Sequence, residues 1–414
     1  MDNPARPAIF TGMDYDLIII GGGLNGSAMA LAAAQCGLTS VVLDALPRPT
    51  REDPDFDGRS YALALSSQRM LDALGLWEAL EDHAQPMHQI KVSDGRTGDA
   101  SVFLGLHFDS AELEEGPMGY MIEDRHLRRA LLDAMEGTDK ITARADARVT
   151  GQTCNPTGAK VTLSDGTTLT GRLLVGADGR NSGAAQRAGI RRTGWDYQQT
   201  ALVCAIAHEK PHNGTAHQLF LPAGPLAILP LTNNRSSIVW TETTDRATAI
   251  NALPDEDYLT VLRPRFGDFL GDISLAGLRH TYPLNLTLAN SFTAPRLALV
   301  GDAAHGMHPI AGQGLNAGLR DVASLAHVLA HATKRGEDMA APAILDRYQQ
   351  WRRWDTATLA ASTDLFNRLF SNDNPLLRAA RDLGMAAVNA APGLRRGVIR
   401  EAAGLTGDLP DLMR

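Results

Sequence analysis

A glycine-rich turn between an apolar segment and an alanine-rich segment limits what the start of this chain can fold into. The apolar segment is DYDLIII (14–20), the turn is GGGLNG (21–26), and the alanine-rich segment closes at Gly37. A second apolar segment, SVVLDA (40–45), follows it. The pattern predicts a strand, a helix and a second strand within about thirty residues. That succession is a βαβ unit, and it predicts an α/β fold with parallel strands.

The glycines Gly21, Gly23 and Gly26 match the dinucleotide-binding pattern G-x-G-x-x-G. The first permits a tight turn, the second lets the backbone approach a pyrophosphate, and the third lets the helix pack close to the strand. Leu24 and Asn25 lie in this turn, and the N-terminus of the helix that follows offers free N–H groups and the positive end of its dipole to the phosphates. The alternative is a glycine-rich turn of an ordinary α/β domain.

A single acidic residue at the end of the second strand narrows the choice of nucleotide. Asp44 stands 18 residues after Gly26, and a carboxylate there can accept hydrogen bonds from both ribose hydroxyls. It would repel a 2′-phosphate, so we expect FAD or NAD and not NADP. The turn alone leaves FAD and NAD both open.

Composition excludes several other classes of protein. The chain has 414 residues, 44% of them hydrophobic, and a net charge of −8, which argues against a nucleic-acid partner. The cysteines Cys36, Cys154 and Cys204 are far apart, so they predict neither disulfides nor a zinc site. No run of 18 apolar residues is present in the sequence. We expect a cytoplasmic protein, and peripheral contact with the inner membrane stays open.

The segments of cofactor-binding type lie far apart, near residues 15–45, 172–180 and 297–320. Strand patterns fill most of the sequence between the last two. A discontinuous cofactor domain with a strand-rich second domain inserted explains this distribution. The predicted division is a cofactor domain of 14–80, 108–185 and 284–345, a substrate domain of 81–107 and 186–283, and a helical C-terminal region of 346–414.

Two further motifs carry a family resemblance. LLVGADGRNSGAAQRAGI (173–190) resembles the Asp-Gly motif of the class A flavin monooxygenases, and residues 296–325 resemble their Gly-Asp motif with the flavin-facing helix after it. DGRSYALALSSQRMLDALGLW (57–77), HPIAGQGLNAGLRD and GLTGDLPDLMR (404–414) are similar to the ubiquinone-biosynthesis hydroxylases. The resemblance covers about residues 14–414. It implies an α/β, Rossmann-type FAD-binding domain with an inserted, mostly antiparallel β-sheet substrate domain, as in p-hydroxybenzoate hydroxylase, and a helical C-terminus.

The resemblance also assigns residues to the cofactor. It implies that Asp302 binds a ribityl hydroxyl, that Asp178 lies near the pyrophosphate and the visiting nicotinamide, and that Arg59 reaches the phosphates. Arg125 is a less direct match, because many relatives have arginine at the position of Asp124 here. The predicted cofactor-binding set is Gly21, Gly23, Leu24, Asn25, Gly26, Asp44, Arg59, Arg125, Asp178, Gly301, Asp302, Pro309, Gly312, Gln313, Gly314, Leu315 and Asn316. Pro309, Gly312, Gln313 and Gly314 are expected to face the flavin.

The family reaction implies bound FAD and NAD(P)H as a transient co-substrate. Reduced flavin reacts with O2 to form a C4a-hydroperoxide, and an activated phenol attacks its distal oxygen, so the protein has to exclude water. The sequence does not identify a general base. His305 and His308 flank Gly306 and Met307, and we expect them to form loop hydrogen bonds, not to bind a metal, because a Glu-x-x-His context is missing.

The predicted substrate side lies in AHQLFLPAGPLAILPLT (216–232). Leu219, Phe220, Leu229 and Pro230 are candidates to line a pocket, although core β-sheet is the simpler interpretation of each. A small acid would favour an arginine here, and Arg235 is the candidate. The apolar balance favours a lipophilic phenol.

The C-terminal region is rich in arginine. Residues 347–401 contain nine arginines against five acidic residues. Such a helix could lie on an anionic membrane surface, bind a partner protein, or present a solvated face.

Three functions therefore remain after the sequence analysis. The first is hydroxylation of a prenylated phenol in ubiquinone biosynthesis with FAD, NAD(P)H and O2. The second is hydroxylation of a small soluble aromatic acid. The third is a catalytically idle flavin-binding subunit of a biosynthetic complex.

Overall fold

The apolar segments of the sequence form buried strands of a largely parallel sheet. We describe residues 12–94, 105–113, 115–306, 313–370 and 391–414 from a computed structural model. β1 (Tyr15–Ile20) lies between β2 (Ser40–Leu43) and β11 (Thr168–Gly176), parallel to both. All residues of β1 after Tyr15 are buried, because a strand of this kind is covered on both faces. The remaining strands are β8 (Ile141–Arg144), β9 (Val149–Asn155), β10 (Gly158–Leu163), β18 (Thr293–Ala294) and β19 (Leu297–Leu299).

The order of this first sheet brings distant parts of the sequence together. The strand order is β18-β19-β11-β1-β2-β8. Two further strands branch from β11, because β10 pairs with β11 and β9 pairs with β10. β19 and β1 therefore pair with opposite edges of the same strand, β11, although more than half of the chain separates them in sequence. Their carboxyl ends meet at one edge, which is where ligands bind in parallel sheets.

A second, mostly antiparallel sheet contains the strand-rich insert. Its order is β20-β17-β12-β15-β14-β13-β5-β6, with β16 beside β12, and only the β13–β5 pair is parallel among the described pairs. Its strands are β5 (Gln89–Asp94), β6 (Leu106–Asp109), β12 (Arg192–His208), β13 (Thr215–Leu221), β14 (Gly224–Leu231), β15 (Arg235–Thr243), β16 (Ile273–Leu275), β17 (His280–Ala289) and β20 (His305–Gly306). One face packs against α6 (Thr244–Asn251) and α7 (Asp255–Phe266) around the buried side chains of Trp240 and Tyr258.

A small sheet connects the two large ones. It consists of β3 (Ser60–Ala64), β7 (Gly119–Glu123) and β4 (Gln85–Pro86), in the order β3-β7-β4. The other described helices are α1 (Leu24–Gln35), α2 (Arg48–Arg51), α3 (Leu65–Ala73), α4 (Asp124–Glu136), α5 (Gly183–Arg187), α8 (Gln313–Lys334), α9 (Pro342–Phe370) and α10 (Pro392–Ala402). Short 3₁₀ turns include Gly301–Ala303 and Asp411–Met413. α1 packs against α4 and α8, and its alanines bring these helices close.

The predicted fold class is confirmed, with a parallel sheet, an inserted antiparallel sheet and a helical C-terminus. The domain boundaries stay a prediction. Phe108 in β6 and Leu284 in β17 were assigned to the cofactor domain, yet both strands pair within the second sheet. Among the described residues, no helix has the length and apolarity needed to cross a bilayer.

Candidate cofactor site

The turn after β1 leaves no room for side chains at two of its glycines. A Cβ on Gly21 would lie 2.3 Å from the Ala177 carbonyl oxygen, and its φ of +101° disfavours other residues. A Cβ on Gly26 would lie 1.9 Å from the Gly21 carbonyl oxygen. Both glycines therefore allow α1 and the loop after β11 to approach β1.

Gly23, the second glycine of the motif, faces open space within the part of the chain that the structure describes. A Cβ on Gly23 would meet no atom of the described residues within 4 Å. Gly23 is also the N-cap of α1, and no described side chain forms a capping hydrogen bond there. The first N–H groups of α1 therefore lack a side-chain partner at an open surface, which fits the pyrophosphate of a dinucleotide.

Asp44 directly follows β2 and is fixed beside this turn. Its Oδ2 accepts a hydrogen bond from the Gly22 N–H at 3.0 Å, and its Oδ1 accepts one from the Leu46 N–H at 2.8 Å. Arg51, which the sequence analysis did not identify, donates from Nη2 to the Gly22 carbonyl at 3.0 Å. Arg51 Nε also lies 3.5 Å from Asp44 Oδ2, so the carboxylate is held in place, and its contact with a ribose hydroxyl stays a prediction.

The Asp-Gly motif lies next to the first turn, as β11 pairs with β1. The Asp178 carboxylate accepts hydrogen bonds from the Ser182 hydroxyl and, at 2.9 Å, from the Ala184 N–H. Asp178 therefore orders the start of α5. Its direct contact with the cofactor stays a prediction.

Asn25 joins the first turn to the Gly-Asp motif. A Cβ on Gly301 would lie 2.2 Å from Asn25 Nδ2, and a Cβ on Gly318 of α8 would lie 2.4 Å from the same atom. The amide thus occupies the space that these two glycines leave. The three motif segments meet around one open cradle at the carboxyl edge of the parallel sheet.

Two arginines surround Asp302 at the rim of this cradle. Arg180 Nε lies 3.0 Å from Asp302 Oδ2, and about a third of each side chain is exposed. Arg192 Nη2 donates to the Asp302 carbonyl at 3.0 Å. Because the sequence analysis considered Arg180 only as part of the DGR string, it missed both cations.

A buried ion cluster lies beneath Gly301. Asp321 of α8 accepts hydrogen bonds from His305 Nε2 at 2.6 Å, Arg352 Nε at 2.7 Å and the Gly301 N–H at 2.9 Å. Burial acts to raise the pKa of the Asp321 carboxyl, but His305 and Arg352 outweigh it and hold that pKa below its usual range. The cluster fixes the turn that presents Asp302.

The start of α8 opens toward the same cradle. A Cβ on Gly314 would meet no described atom within 4 Å. Asn316 instead turns inward, and its Oδ1 accepts hydrogen bonds from the Ala64 N–H at 2.9 Å and the Ser67 hydroxyl at 2.8 Å. Asn316 therefore fastens the first turn of α8 to β3. Pro309, Gly312 and His308 lie outside the described residues.

The two predicted phosphate-binding arginines are engaged by acidic neighbours. Arg59 donates to Asp57 at 2.7 Å and lies 3.4 Å from the buried Asp124. Arg125 donates to Glu123 at 2.8 Å. Asp124 thus faces Arg59. The roles of Arg59 and Arg125 toward the phosphates stay predictions.

Comparison with known proteins agrees with this geometry. Residues 14–362 match the FAD binding domain family. The chain is 46% identical to "Ubiquinone hydroxylase UbiL" of Rhodospirillum rubrum, over 96% of this chain and 92% of that protein. It is 34% identical to "3-demethoxyubiquinol 3-hydroxylase" of Escherichia coli, over 95% and 100% of the two chains. The chain belongs to the FAD-binding family that contains the ubiquinone hydroxylases. FAD, and not NAD, is therefore the resident dinucleotide.

Solved structures extend the likeness to the fold. p-Nitrophenol 4-monooxygenase PnpA from Pseudomonas putida superposes with a TM-score of 0.78 at 19% identity, covering 95% of this chain and 98% of that one. Anhydrotetracycline hydroxylase OxyS from Streptomyces rimosus superposes with a TM-score of 0.71 at 22% identity, covering 96% and 77%.

The residues predicted to line a substrate pocket divide between two faces of the second sheet. Leu219 lies opposite Leu226 in the register of β13 and β14, and both pack in the core beneath α6 and α7. Leu229 packs on the other face, against Met87 and Met121. Leu219 therefore packs on the core face of the sheet, and its role in a substrate pocket stays a prediction.

Strand alternation divides the other two candidates in the same way. Phe220 lies opposite Pro225, which shares a face with Leu229, whereas Pro230 shares the face of Leu226. Pro230 is therefore on the core face as well, and its role in a substrate pocket stays a prediction. Phe220 and Leu229 stay predicted pocket residues.

Proposed function

We propose that this chain is an FAD-dependent monooxygenase that uses NAD(P)H and O2 to hydroxylate the ring of a prenylated phenol in ubiquinone biosynthesis. The observation that carries the proposal is the meeting of three motif segments around one open cradle. It occurs in a chain that is 46% identical, over nearly its whole length, to a protein named as a ubiquinone hydroxylase.

Residues of this chain would hold the cofactor along its whole length. The N–H groups of α1 would bind the pyrophosphate, Asp44 the adenosine ribose and Asp302 the ribityl chain. The N-terminal N–H groups of α8 would stabilise negative charge on the reduced ring. Bound FAD supplies the electrons, taken from NAD(P)H, that activate O2 for transfer of one oxygen atom.

The side of the second sheet that carries Leu229 supports a lipophilic substrate. Leu229 packs with Met87, Met121, Phe56 and Ala62 where this sheet meets the small sheet. Asn316 Nδ2 donates to the Ala62 carbonyl at 2.8 Å, so this apolar junction is next to the start of α8. Apolar side chains here would exclude water and bind a lipophilic phenol.

The arginine expected to bind a small acid is committed to another partner. Arg235 Nη2 lies 2.6 Å from Glu123 Oε1, and its guanidinium lies over the Phe56 ring, 5.0 Å from the centroid. Glu123 is itself buried, so withdrawing Arg235 toward a substrate would remove one of the two arginines, Arg125 and Arg235, that pair with this buried charge. This pairing disfavours the small-acid alternative.

Anaerobic flavin bleaching tests the proposal. The FAD-loaded protein is mixed with NADH or NADPH, with a prenylated phenol, with a small aromatic hydroxy acid, or with neither. We expect reduction that the prenylated phenol accelerates and, after O2 is admitted, a product that contains one additional oxygen atom. Bound FAD that NAD(P)H never reduces would indicate the idle subunit, and turnover of the acid alone would indicate the second alternative.

We also propose that the C-terminal helix contacts an anionic membrane surface. Leu394 and Val398 lie one turn apart on α10 and are 55% and 40% exposed, and Arg396 beside them is also exposed. Arg395 pairs with Glu112 and Arg400 pairs with Glu115, which reduces the attraction of these two arginines to an anionic surface. An apolar strip flanked by arginine is typical of interfacial helices.

Flotation with vesicles of phosphatidylglycerol and phosphatidylethanolamine tests this contact. We expect the double variant Leu394→Gln, Val398→Gln to float less than the unchanged protein, because it removes the apolar strip and leaves the arginines. Deleting the helix is unsuitable, since Ile399 and Ala403 are buried. Leu278→Gln is the control, because Leu278 is 65% exposed elsewhere. Equal flotation of the double variant and the control would contradict the proposal.

A further inference from the structure

Two histidines of α8 and an aspartate near the chain end form a cluster that the flavin chemistry does not use. His327 and His331 are one helical turn apart, and their rings stack with centroids 4.3 Å apart. Asp411 Oδ2 lies 3.0 Å from His327 Nδ1 and 3.6 Å from His331 Nε2. One nitrogen or oxygen from each residue lies within 4.8 Å of the other two.

The contact between His327 and Asp411 lacks the geometry of a hydrogen bond. His327 Nδ1 is buried and has no hydrogen-bond partner within the described structure, although a carboxylate oxygen is 3.0 Å away. A neutral imidazole can offer the lone pair of such a nitrogen to a ligand.

We propose that His327, His331 and Asp411 bind a divalent transition-metal ion of the zinc class. Ligand distances of about 2.0–2.2 Å in a tetrahedral site place neighbouring donor atoms about 3.3 Å apart. The two measured separations, 3.0 and 3.6 Å, lie on either side of that value. Two imidazoles and one carboxylate favour zinc, nickel or copper over magnesium and calcium. Water would complete the coordination.

The surroundings of the cluster are compatible with a cation. Trp351 packs edge-on against His327 at 5.2 Å between centroids and fixes the ring. Arg414 is the nearby positive charge, and its Nη1 lies 3.6 Å from Asp411 Oδ1. That oxygen is not the one that faces the histidines, so Arg414 orients the carboxylate without occupying the metal position.

A metal at this position would fasten the end of the chain to α8. Met413, two residues after Asp411, is fully buried in the core, and the same 3₁₀ turn packs against α3 and α8. The bond would close a loop of more than eighty residues. This proposal is independent of the flavin reaction, and it departs from the sequence analysis, which considered only His305 and His308 as metal ligands.

Isothermal titration of the untagged, FAD-loaded full chain with ZnCl2 tests the proposal, after chelator treatment and dialysis. We expect one saturable site per chain, a higher melting temperature with Zn²⁺, and no competition from Mg²⁺. His331→Gln and Asp411→Asn should each weaken the binding at least about tenfold. His107→Gln is the control, because His107 is exposed on β6.

Each outcome has a definite interpretation. The three ligand side chains are partly exposed, so the variants should fold and melt like the unchanged protein when metal is absent. Cobalt substitution should give the strong visible absorption of a tetrahedral site, which both variants lose. Absence of saturable binding, or equal affinity in the unchanged protein and both variants, would overturn the proposal.

Discussion

Alanine in place of Gly26 is expected to yield a protein that purifies almost without FAD. The added Cβ would lie 1.9 Å from the Gly21 carbonyl oxygen, which is backbone of the turn itself. Relief requires α1 to move away from β1, although most of the helix is buried against α4 and α8. Forced overpacking of this kind costs about 1–3 kcal/mol or more, and the displaced helix no longer presents its N–H groups.

Gly23→Ala separates loss of fold from loss of cofactor. Its Cβ would meet no described atom, so the melting temperature of the apoprotein should stay near that of the unchanged protein. The methyl group would enter the room that we assign to the pyrophosphate, so FAD affinity should fall. Gly393→Ala is the control, because Gly393 also faces open space but lies far along the chain on α10.

FAD content from the absorbance of denatured samples and the melting temperature of each apoprotein check these expectations. We expect the FAD content to be highest in Gly393→Ala, lower in Gly23→Ala and lowest in Gly26→Ala. A Gly26→Ala protein with a full complement of FAD would contradict the assignment of the turn.

The substitution Asp321→Asn is expected to lower the free energy of unfolding by about 3–5 kcal/mol, because it leaves the buried Arg352 without its principal counterion. Arg352 is 2% exposed, and its Nε lies 2.7 Å from Asp321 Oδ1. The same change weakens the acceptor that fixes Gly301, so FAD should also dissociate faster. Urea denaturation followed by tryptophan fluorescence measures the first effect, and flavin release measures the second.

The pH dependence of this difference has a definite sign. The folded-state pKa of Asp321 lies below its ordinary value of 3.8, so the ionised carboxylate stabilises the fold above that value. The contribution is lost as pH falls through the folded-state pKa. The stability difference between the unchanged protein and Asp321→Asn should therefore be constant near neutral pH and shrink below about pH 4.

Asp355→Asn is the matched control for the buried cluster. Asp355 Oδ2 also contacts Arg352, at 2.8 Å, but its side chain is 33% exposed. Water can replace an exposed partner, so this change should cost less than about 1 kcal/mol. If both variants lost the same free energy of unfolding, burial of Asp321 would not be the reason for its large contribution to stability.

Local sequence rules predicted the cradle well because its parts are local. Gly21, Gly26 and Asp44 act through their own backbone and their position after a strand, and a short stretch of sequence specifies both. The buried cluster could not be predicted in this way. Asp321, His305 and Arg352 come together only through the packing of α8, α9 and β20, and no spacing in the sequence encodes that contact.

The residues that line a substrate pocket could not be predicted from the sequence for a different reason. Leu219 and Phe220 are neighbours on one strand, so they point to opposite faces and cannot both line a pocket. Strand alternation alone therefore separates these two residues. Which face meets the cofactor depends on where α6 and α7 pack, and Arg235 is engaged by Glu123, which lies 112 residues away. Only the assembled structure reveals those two facts.

The position of the Asn25 side chain between Gly301 and Gly318 has a consequence for how this chain folds during its own synthesis. β1 and α1 leave the ribosome early, but the residues that complete their surroundings are translated almost 300 positions later. At ordinary elongation rates that interval is roughly 15–60 s. Throughout it the nascent N-terminal unit exposes apolar strand edges and has no finished cradle, so FAD cannot protect it. FAD binding to the complete cradle therefore has to follow the synthesis of Gly318.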